Sequence, residues 1–171
     1  GENGPSIFPN TSVGFRARYL PGENFYVQTV ILDAVPGAHN NPAATSLHFD
    51  LTRGALLQAE MGYTTTANET ENDGESKYAL GAWMYTSSFD ELEPDASGMT
   101  KQCSENRGIY ALAETKLTQE SGDPAQGLSV FARVGFASSC MNQYDRHLGI
   151  GVVYTVLFPG RDEDRLGFAV A

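Results

Sequence analysis

The sequence has 171 residues, about the length of one domain, and its 21 acidic and 11 basic residues give a formal net charge of −10. This charge argues against a nucleic-acid-binding protein, which needs a basic surface to replace the counterions of the phosphate backbone. No apolar stretch reaches the roughly 18–20 residues of a membrane-spanning helix. A spanning β-barrel remains open, because alternating strands average out to a soluble-looking composition.

Alternation of apolar and polar residues, which is typical of β-strands, recurs along the whole chain. The predicted strands are, in order, Phe15–Leu20, Phe25–Ala34, a short piece at Leu47–Leu51, Ala55–Tyr63, Lys77–Thr86, Ile109–Leu117, Leu128–Ser138, His147–Leu157 and Leu166–Ala171. Turn-forming residues separate these runs, and no segment has a convincing helical stripe. We therefore predict an all-β, antiparallel up-and-down meander of eight or nine strands, forming a single unit over residues 1–171 with no internal boundary.

The polar side of these strands carries the candidate functional residues. They are Arg16, Arg18, Glu60, Trp83, Tyr85, Glu114, Lys116 and Arg133. A buried charge without a partner is costly, so this side must meet water or partners. Two arrangements satisfy the pattern: the apolar sides can pack together as the core of a soluble domain, or they can meet lipid while the charges line an aqueous lumen.

Small and aromatic residues on the apolar side favour the lipid arrangement. Ala55, Ala59 and Ala132 make a poor close-packed core, whereas lipid tails fill around any shape. The aromatic belt found at membrane interfaces is suited by three residues near predicted strand ends, Tyr63, Tyr154 and Phe158. A one-residue error in register would exchange the two faces, so the alternation by itself leaves both arrangements open.

The two cysteines lie at one predicted end of the meander. The up-and-down order places four connections at that end: Pro21–Asn24, Thr52–Gly54, Ser87–Arg107 and Ser138–Asp145. Cys103 and Cys140 are then roughly equidistant from the hairpin turn near Asp123, and a disulfide is reasonable if their Cα atoms come within about 7 Å. An oxidising compartment would permit it. Two free thiols or a metal pair are the alternatives, and the absence of a CxxC spacing disfavours metal.

Sequence signatures of enzymes are absent. The chain has no GxSxG elbow, no HExxH and no phosphate-binding GxxxxGK[ST]. A sugar hydrolase would need two facing carboxylates about 5–10 Å apart, and the sequence places no such pair. We therefore expect neither an enzyme nor a bound cofactor or metal.

Four stretches of the chain resemble one family of membrane proteins. They are Asn24–Gln28, Leu32–Gly37, Ser129–Gly135 and Gly149–Gly167, and they occur in collinear order. The Tyr-Thr…Pro-Gly-Arg…Asp-Arg-Leu-Gly string within the last stretch is hard to produce by generic patterning. These motifs are similar to those of the carbohydrate-selective porins (OprB family) of Gram-negative outer membranes.

The resemblance implies a sixteen-stranded transmembrane β-barrel in the outer membrane that passes sugars and ions by diffusion. Eight or nine strands amount to about half of that barrel, and the chain ends inside a predicted strand at Ala171 without a terminal aromatic residue. We therefore expect an internal portion of a longer porin, in contact with lipid. The remainder of the same barrel, or a homo-oligomer, would complete the sheet.

On this interpretation the candidate residues bind sugar without chemistry. Basic side chains donate hydrogen bonds to sugar hydroxyls, Glu60 and Glu114 accept them, and Trp83 and Tyr85 stack on a pyranose face. The alternative is a soluble secreted β-barrel or sandwich that binds a ligand or partner. That alternative predicts a dry interior containing the side chains of Leu57, Val130 and Val134.

Overall fold

The computed structural model describes residues 13–34, 54–65, 75–90, 102–104, 106–119, 126–140, 142–155 and 164–171. Its strands are β1 (Gly14–Tyr19), β2 (Phe25–Asp33), β3 (Ala55–Thr65), β4 (Ser76–Tyr85), β5 (Phe89–Asp90), β6 (Gln102–Cys103), β7 (Arg107–Lys116), β8 (Gly127–Ala137), β9 (Arg146–Thr155) and β10 (Arg165–Val170). Within the described ranges, no helix has the length and apolar character needed to cross a membrane.

Eight strands form one antiparallel sheet in the order β1-β2-β3-β4-β7-β8-β9-β10, and β5 and β6 pair as a separate hairpin. Each strand of the large sheet pairs with its neighbour in chain order, which confirms the predicted up-and-down meander. The predicted strand ends agree with the observed ones to within about two residues, because turn-forming residues separate the alternating segments. The predicted piece at Leu47–Leu51 lies outside the described residues.

Strand register divides the large sheet into two faces. Partners in adjacent strands point to the same side, so Arg18, Gln28, Glu60 and Gly81 follow one another on one face of β1 to β4. We call this the polar face: it holds the even-numbered residues of β1, β2, β3 and β7 and the odd-numbered residues of β4, β8, β9 and β10. The remaining residues of these strands form the apolar face.

The large apolar side chains are exposed on the apolar face of this sheet. Every exposed large hydrophobic residue within the eight strands belongs to the apolar face. Phe15, Leu80, Leu148 and Phe168 illustrate this, with 66%, 61%, 64% and 71% of their surfaces exposed. Among the described residues no large side chain is fully buried. The described sheet therefore has no dry core of its own.

One predicted connection lies at the opposite end of the sheet from the end assigned to it. The backbone N–H of Thr64 donates to the carbonyl of Asn24 at 2.7 Å, which places Asn24 beside the last residues of β3. The prediction grouped Pro21–Asn24 with Thr52–Gly54 and was wrong, because it counted a strand at Leu47–Leu51 between the two. In the structure β2 pairs directly with β3 in antiparallel register, so the start of β2 lies beside the end of β3.

The β5–β6 hairpin is tied to the sheet at the end where β4 ends and β7 begins. Phe89 pairs with Cys103 in the hairpin, and a disulfide joins Cys103 to Cys140, with Cα atoms 6.5 Å apart. Cys140 follows β8, so the bond connects the hairpin to the segment between β8 and β9. The ring of Phe89 also packs edge-on against Tyr85, with centroids 5.2 Å apart.

Candidate functional site

All eight residues selected from the sequence lie on the polar face. β1 carries Arg16 and Arg18, β3 carries Glu60, β4 carries Trp83 and Tyr85, β7 carries Glu114 and Lys116, and β8 carries Arg133. The faces follow from the antiparallel register, since paired residues point to the same side. The structure therefore brings the eight side chains to one surface, distributed over five strands.

The polar face is basic although the chain as a whole is acidic. Lys77 and Arg165, which the sequence analysis did not select, also belong to it. Its charged side chains are Arg16, Arg18, Lys77, Lys116, Arg133 and Arg165 against Glu60 and Glu114. A net charge of −10 over the chain therefore coexists with a basic surplus on this face.

A hydrogen-bonded cluster surrounds Glu60. Its Oε1 accepts from the Tyr26 hydroxyl at 2.8 Å and from Gln28 Nε2 at 2.9 Å, and its Oε2 accepts from the Tyr110 hydroxyl. Gln58 Nε2 in turn donates to the Tyr110 oxygen at 2.9 Å. Only 8% of Glu60 is exposed. Because three protein donors occupy this buried carboxylate, Glu60 holds β2, β3 and β7 together.

The sequence analysis missed the two tyrosines of this cluster. Tyr110 has the same parity as Glu114 in β7, and Tyr26 has the same parity as Gln28 in β2. The period of two therefore contained the signal that places both hydroxyls on the polar face. The sequence analysis selected the charged residues and the aromatic pair Trp83 and Tyr85 on this face, and it did not apply the same alternation to Tyr26 and Tyr110.

A second carboxylate on the polar face is open to solvent. Arg133 Nη2 donates to Glu114 Oε1 at 2.9 Å, and the side chains of the two residues are 57% and 43% exposed. Lys77 is the register partner of Glu114 on the neighbouring strand. This group presents donors and a charged acceptor at an accessible surface, so it can exchange hydrogen bonds with a passing polar molecule.

The edge of the polar face at β1 carries two arginines with different partners. Arg16 Nη2 donates to Gln28 Oε1 at 2.6 Å. Arg18 places its Cζ 4.6 Å from the centroid of the Tyr26 ring. That distance lies within the range of cation–π attraction, about 6 Å. Gln28 therefore links Arg16 to the Glu60 cluster, and Tyr26 links Arg18 to it.

Aromatic rings form a short series on and beyond β4. The rings of Trp83 and Tyr85 are 6.0 Å apart between centroids and nearly perpendicular, and Phe89 continues the series at 5.2 Å from Tyr85.

Lys116 lies at the other end of the polar face, where β7 pairs with Ser129 of β8. The described residues contain no group of three potential metal ligands.

Comparison with solved structures establishes the fold to which this sheet belongs. The high-pH structure of Pseudomonas putida OprB superposes with a TM-score of 0.76 and 24% identity over 95% of this chain and 40% of that one. The low-pH structure of the same protein gives a TM-score of 0.61 and 22% identity over 92% and 38%. These structures are β-barrels, so the described sheet has the fold of part of a β-barrel.

Comparison with protein families and curated proteins gives the same assignment. The family model for the carbohydrate-selective porins, OprB family, matches residues 1–171. Porin B of Pseudomonas aeruginosa is 26% identical over 172 residues, which cover 96% of this chain and 37% of that protein. The chain thus spans less than half of the length of the relatives that it matches.

Membership of this family confirms several expectations drawn from the sequence. Proteins of the family are channels rather than enzymes, and they are located in the outer membrane of Gram-negative bacteria. The all-β meander and its exposed apolar face agree with that location. On the match over its whole length, the chain belongs to the OprB family of carbohydrate-selective porins.

Proposed function

We propose that the full-length protein passes carbohydrates across the outer membrane by diffusion, and that the polar face of this segment lines the aqueous channel. The observation that supports the proposal is the separation of the two faces. Exposed large hydrophobic side chains occupy one face, and the charged groups selected from the sequence occupy the other. Barrel strands in lipid have this division, with apolar residues outward and polar residues inward.

The accessible groups of the polar face match the chemistry of sugars. Sugar hydroxyls both donate and accept hydrogen bonds, and the exposed pair of Arg133 and Glu114 offers both partners. Arg16, Arg18 and Lys116 add donors. The rings of Trp83 and Tyr85 offer apolar surface against which a pyranose ring can stack. Such contacts are weak and distributed, as conduction requires, because the solute must also leave.

Glu60 is left out of the proposed sugar contacts. The sequence analysis assigned it the same acceptor role as Glu114, but its two oxygens already accept from three protein donors and it is 92% covered by its neighbours. A sugar hydroxyl would have to displace one of those donors. We therefore propose that Glu60 has a structural role and stabilises the channel wall.

The remaining partners in this proposal are lipid and the rest of the barrel. Acyl chains cover the apolar face, and Phe25 and Tyr63, whose ring centroids are 4.9 Å apart, lie near one end of it and suit a membrane interface. β1 and β10 are the edges of the described sheet. Unpaired edges are unfavourable in lipid, so other strands of the full barrel would pair with them. We propose that residues 1–171 form one continuous segment of that barrel.

Conductance of the full-length protein in planar bilayers tests the proposal. We expect open channels whose current falls when glucose is added, and an Arg133→Ala variant that binds glucose less tightly. Arg146→Ala is the matched control, because Arg146 has the same charge, lies on the apolar face and is 79% exposed in its side chain. Channels without any response to glucose, together with an Arg133→Ala variant that behaves as the wild type, would defeat the proposal.

The soluble alternative is not supported by the position of the side chains it needs. Leu57, Val130 and Val134 lie on the face that carries the exposed large hydrophobic residues, rather than in a shared dry interior. A soluble domain with this sheet would expose that surface to water. Removal of detergent from the purified full-length protein should therefore cause aggregation.

A further inference from the structure

Four aromatic rings on the polar face lie directly against glycines of the neighbouring strand. The pairs are Tyr26 with Gly62, Tyr110 with Gly81, Trp83 with Gly108 and Phe131 with Gly151, and each is a register pair. At every one of these glycines a Cβ atom would come within 3.0 Å of the ring, closer than real Cβ atoms approach. Each ring can therefore lie against the backbone of the neighbouring strand because the glycine there has no side chain.

Two of these rings are also covered by the guanidinium group of an arginine. Arg18 lies over Tyr26, with Cζ 4.6 Å from the ring centroid, and Arg133 lies over Phe131 at 5.5 Å. Both distances are within the range of cation–π attraction. The glycine backbone lies against the same ring that the guanidinium covers. A glycine, a ring and a guanidinium are therefore in contact in this order at two places.

We propose that Gly62 and Gly151 are positioning residues that set the height of Arg18 and Arg133 above the channel wall through the ring between them. The inference rests on the proposed function, because it concerns arginines that face the channel. A methyl group at either glycine lifts the ring away from the wall. The guanidinium is then carried further into the channel or loses its stacking partner, and in both cases its contact with solute changes.

The chain contains a matched control for this substitution. Gly135 lies on the polar face of β8, two residues from Arg133, and a Cβ atom there meets nothing closer than the Ile109 carbonyl oxygen at 3.7 Å. That is an ordinary van der Waals distance. Gly135→Ala therefore adds the same methyl group to the same face without moving a ring.

Planar-bilayer recordings of the full-length protein test the proposal with two readouts. One is the glucose dissociation constant obtained from the decrease in current, and the other is the reversal potential in a potassium chloride gradient. We expect Gly62→Ala and Gly151→Ala to weaken glucose binding about two- to fivefold, the range of an exposed cation–π contact, and to shift the reversal potential. Gly135→Ala should change neither quantity.

Double variants separate the ring from other effects of the added methyl group. A Cβ at Gly62 meets ring atoms of Tyr26 as its three nearest neighbours, so Gly62→Ala should have no further effect in a Tyr26→Leu background. A Cβ at Gly151 also approaches the Phe168 carbonyl oxygen, at 2.8 Å. The part of the Gly151→Ala effect that survives in a Phe131→Leu background therefore reports the backbone contact, and we expect it to be the smaller part.

The outcomes distinguish this inference from the function on which it rests. A channel that responds to glucose, with Gly62→Ala and Gly151→Ala indistinguishable from Gly135→Ala, overturns the inference and leaves the proposed function intact. A wild-type channel without any glucose response overturns both. If the glycine variants do not assemble, Tyr26→Leu and Arg18→Lys leave the glycine in place, and both should weaken glucose binding by a similar factor. Unchanged binding in both overturns the inference.

Discussion

Glu60 and Glu114 are the two carboxylates of the polar face, and they occupy opposite situations. Glu60 is 8% exposed and accepts from three protein donors, whereas the Glu114 side chain is 43% exposed beside Arg133. The difference arises from their neighbours: two tyrosines lying on glycines enclose Glu60. The part of the polar face around Glu60 is thus held fixed by protein hydrogen bonds, and the part around Glu114 and Arg133 is open to solvent.

The largest expected effect separates the two carboxylates by stability. Glu60→Ala leaves three donors without their acceptor, and we expect it to lower the free energy of unfolding by about 2–4 kcal/mol. Glu114→Ala breaks an exposed ion pair and should cost about 0–1 kcal/mol. Urea unfolding of the full-length protein in lipid vesicles, followed by tryptophan fluorescence, measures both. Equal losses would contradict the division into a fixed and an open side.

The reverse ranking is expected for solute binding. Glu114→Gln keeps the shape of the side chain but removes its charge and its ion pair with Arg133, so glucose binding should weaken about two- to fivefold, as expected for roughly 0.5–1 kcal/mol. Glu60→Gln should leave glucose binding within a factor of about two. Current reduction by glucose in planar bilayers measures the two constants. A Glu60→Gln channel that loses more glucose affinity than the Glu114→Gln channel would show that solute reaches the buried carboxylate.

A smaller effect is expected when one hydrogen bond of the Glu60 cluster is removed. Tyr26→Phe deletes the 2.8 Å bond to Glu60 but keeps the ring under Arg18. The free energy of unfolding should be about 1 kcal/mol lower than that of the wild type, while the reversal potential stays unchanged. Tyr63→Phe is the control, because the Tyr63 oxygen only accepts a long 3.5 Å bond from Asn24 at an exposed site. A shifted reversal potential in Tyr26→Phe would show that the hydroxyl, and not the ring, positions Arg18.

The smallest effect is expected on the apolar face. Ala132 is exposed there, between Arg133 and Phe131 in sequence but on the opposite side of the sheet. Since lipid accommodates a larger side chain, Ala132→Leu should change stability by no more than about 0.5 kcal/mol, as at other surface positions, and should leave the current unchanged. A reduced current would place Ala132 inside the channel and reverse the assignment of the faces.

Much of the fold followed from short-range patterns in the sequence. The period of two in Leu128–Ser138 is enough to put Arg133 on the polar face, and turn residues mark where each strand ends. The end of the sheet at which Pro21–Asn24 lies could not be obtained in this way. It depends on the number of strands that precede the next connection, and the alternation at Leu47–Leu51 was too short to settle that number.

The roles of the site residues were harder to predict than their face. The tyrosine partners of Glu60 come from positions 34 and 50 residues away in the chain, on β2 and β7. Alternation within a strand reports which side a residue faces, but it carries no information on which residue lies beside it in the next strand. Alternation alone therefore predicts the same role for Glu60 and Glu114, and only the strand register distinguishes them.

The basic surplus of the polar face contrasts with the acidic character of the chain as a whole. Of the 21 acidic residues, only Asp33, Glu60 and Glu114 belong to the eight strands of the large sheet, so the sheet itself carries few of the negative charges of the chain. If the polar face lines a channel as proposed, an ion inside that channel would pass a basic surface that repels cations. A neutral molecule would not be repelled there, so such a surface would discriminate by charge without a narrow constriction.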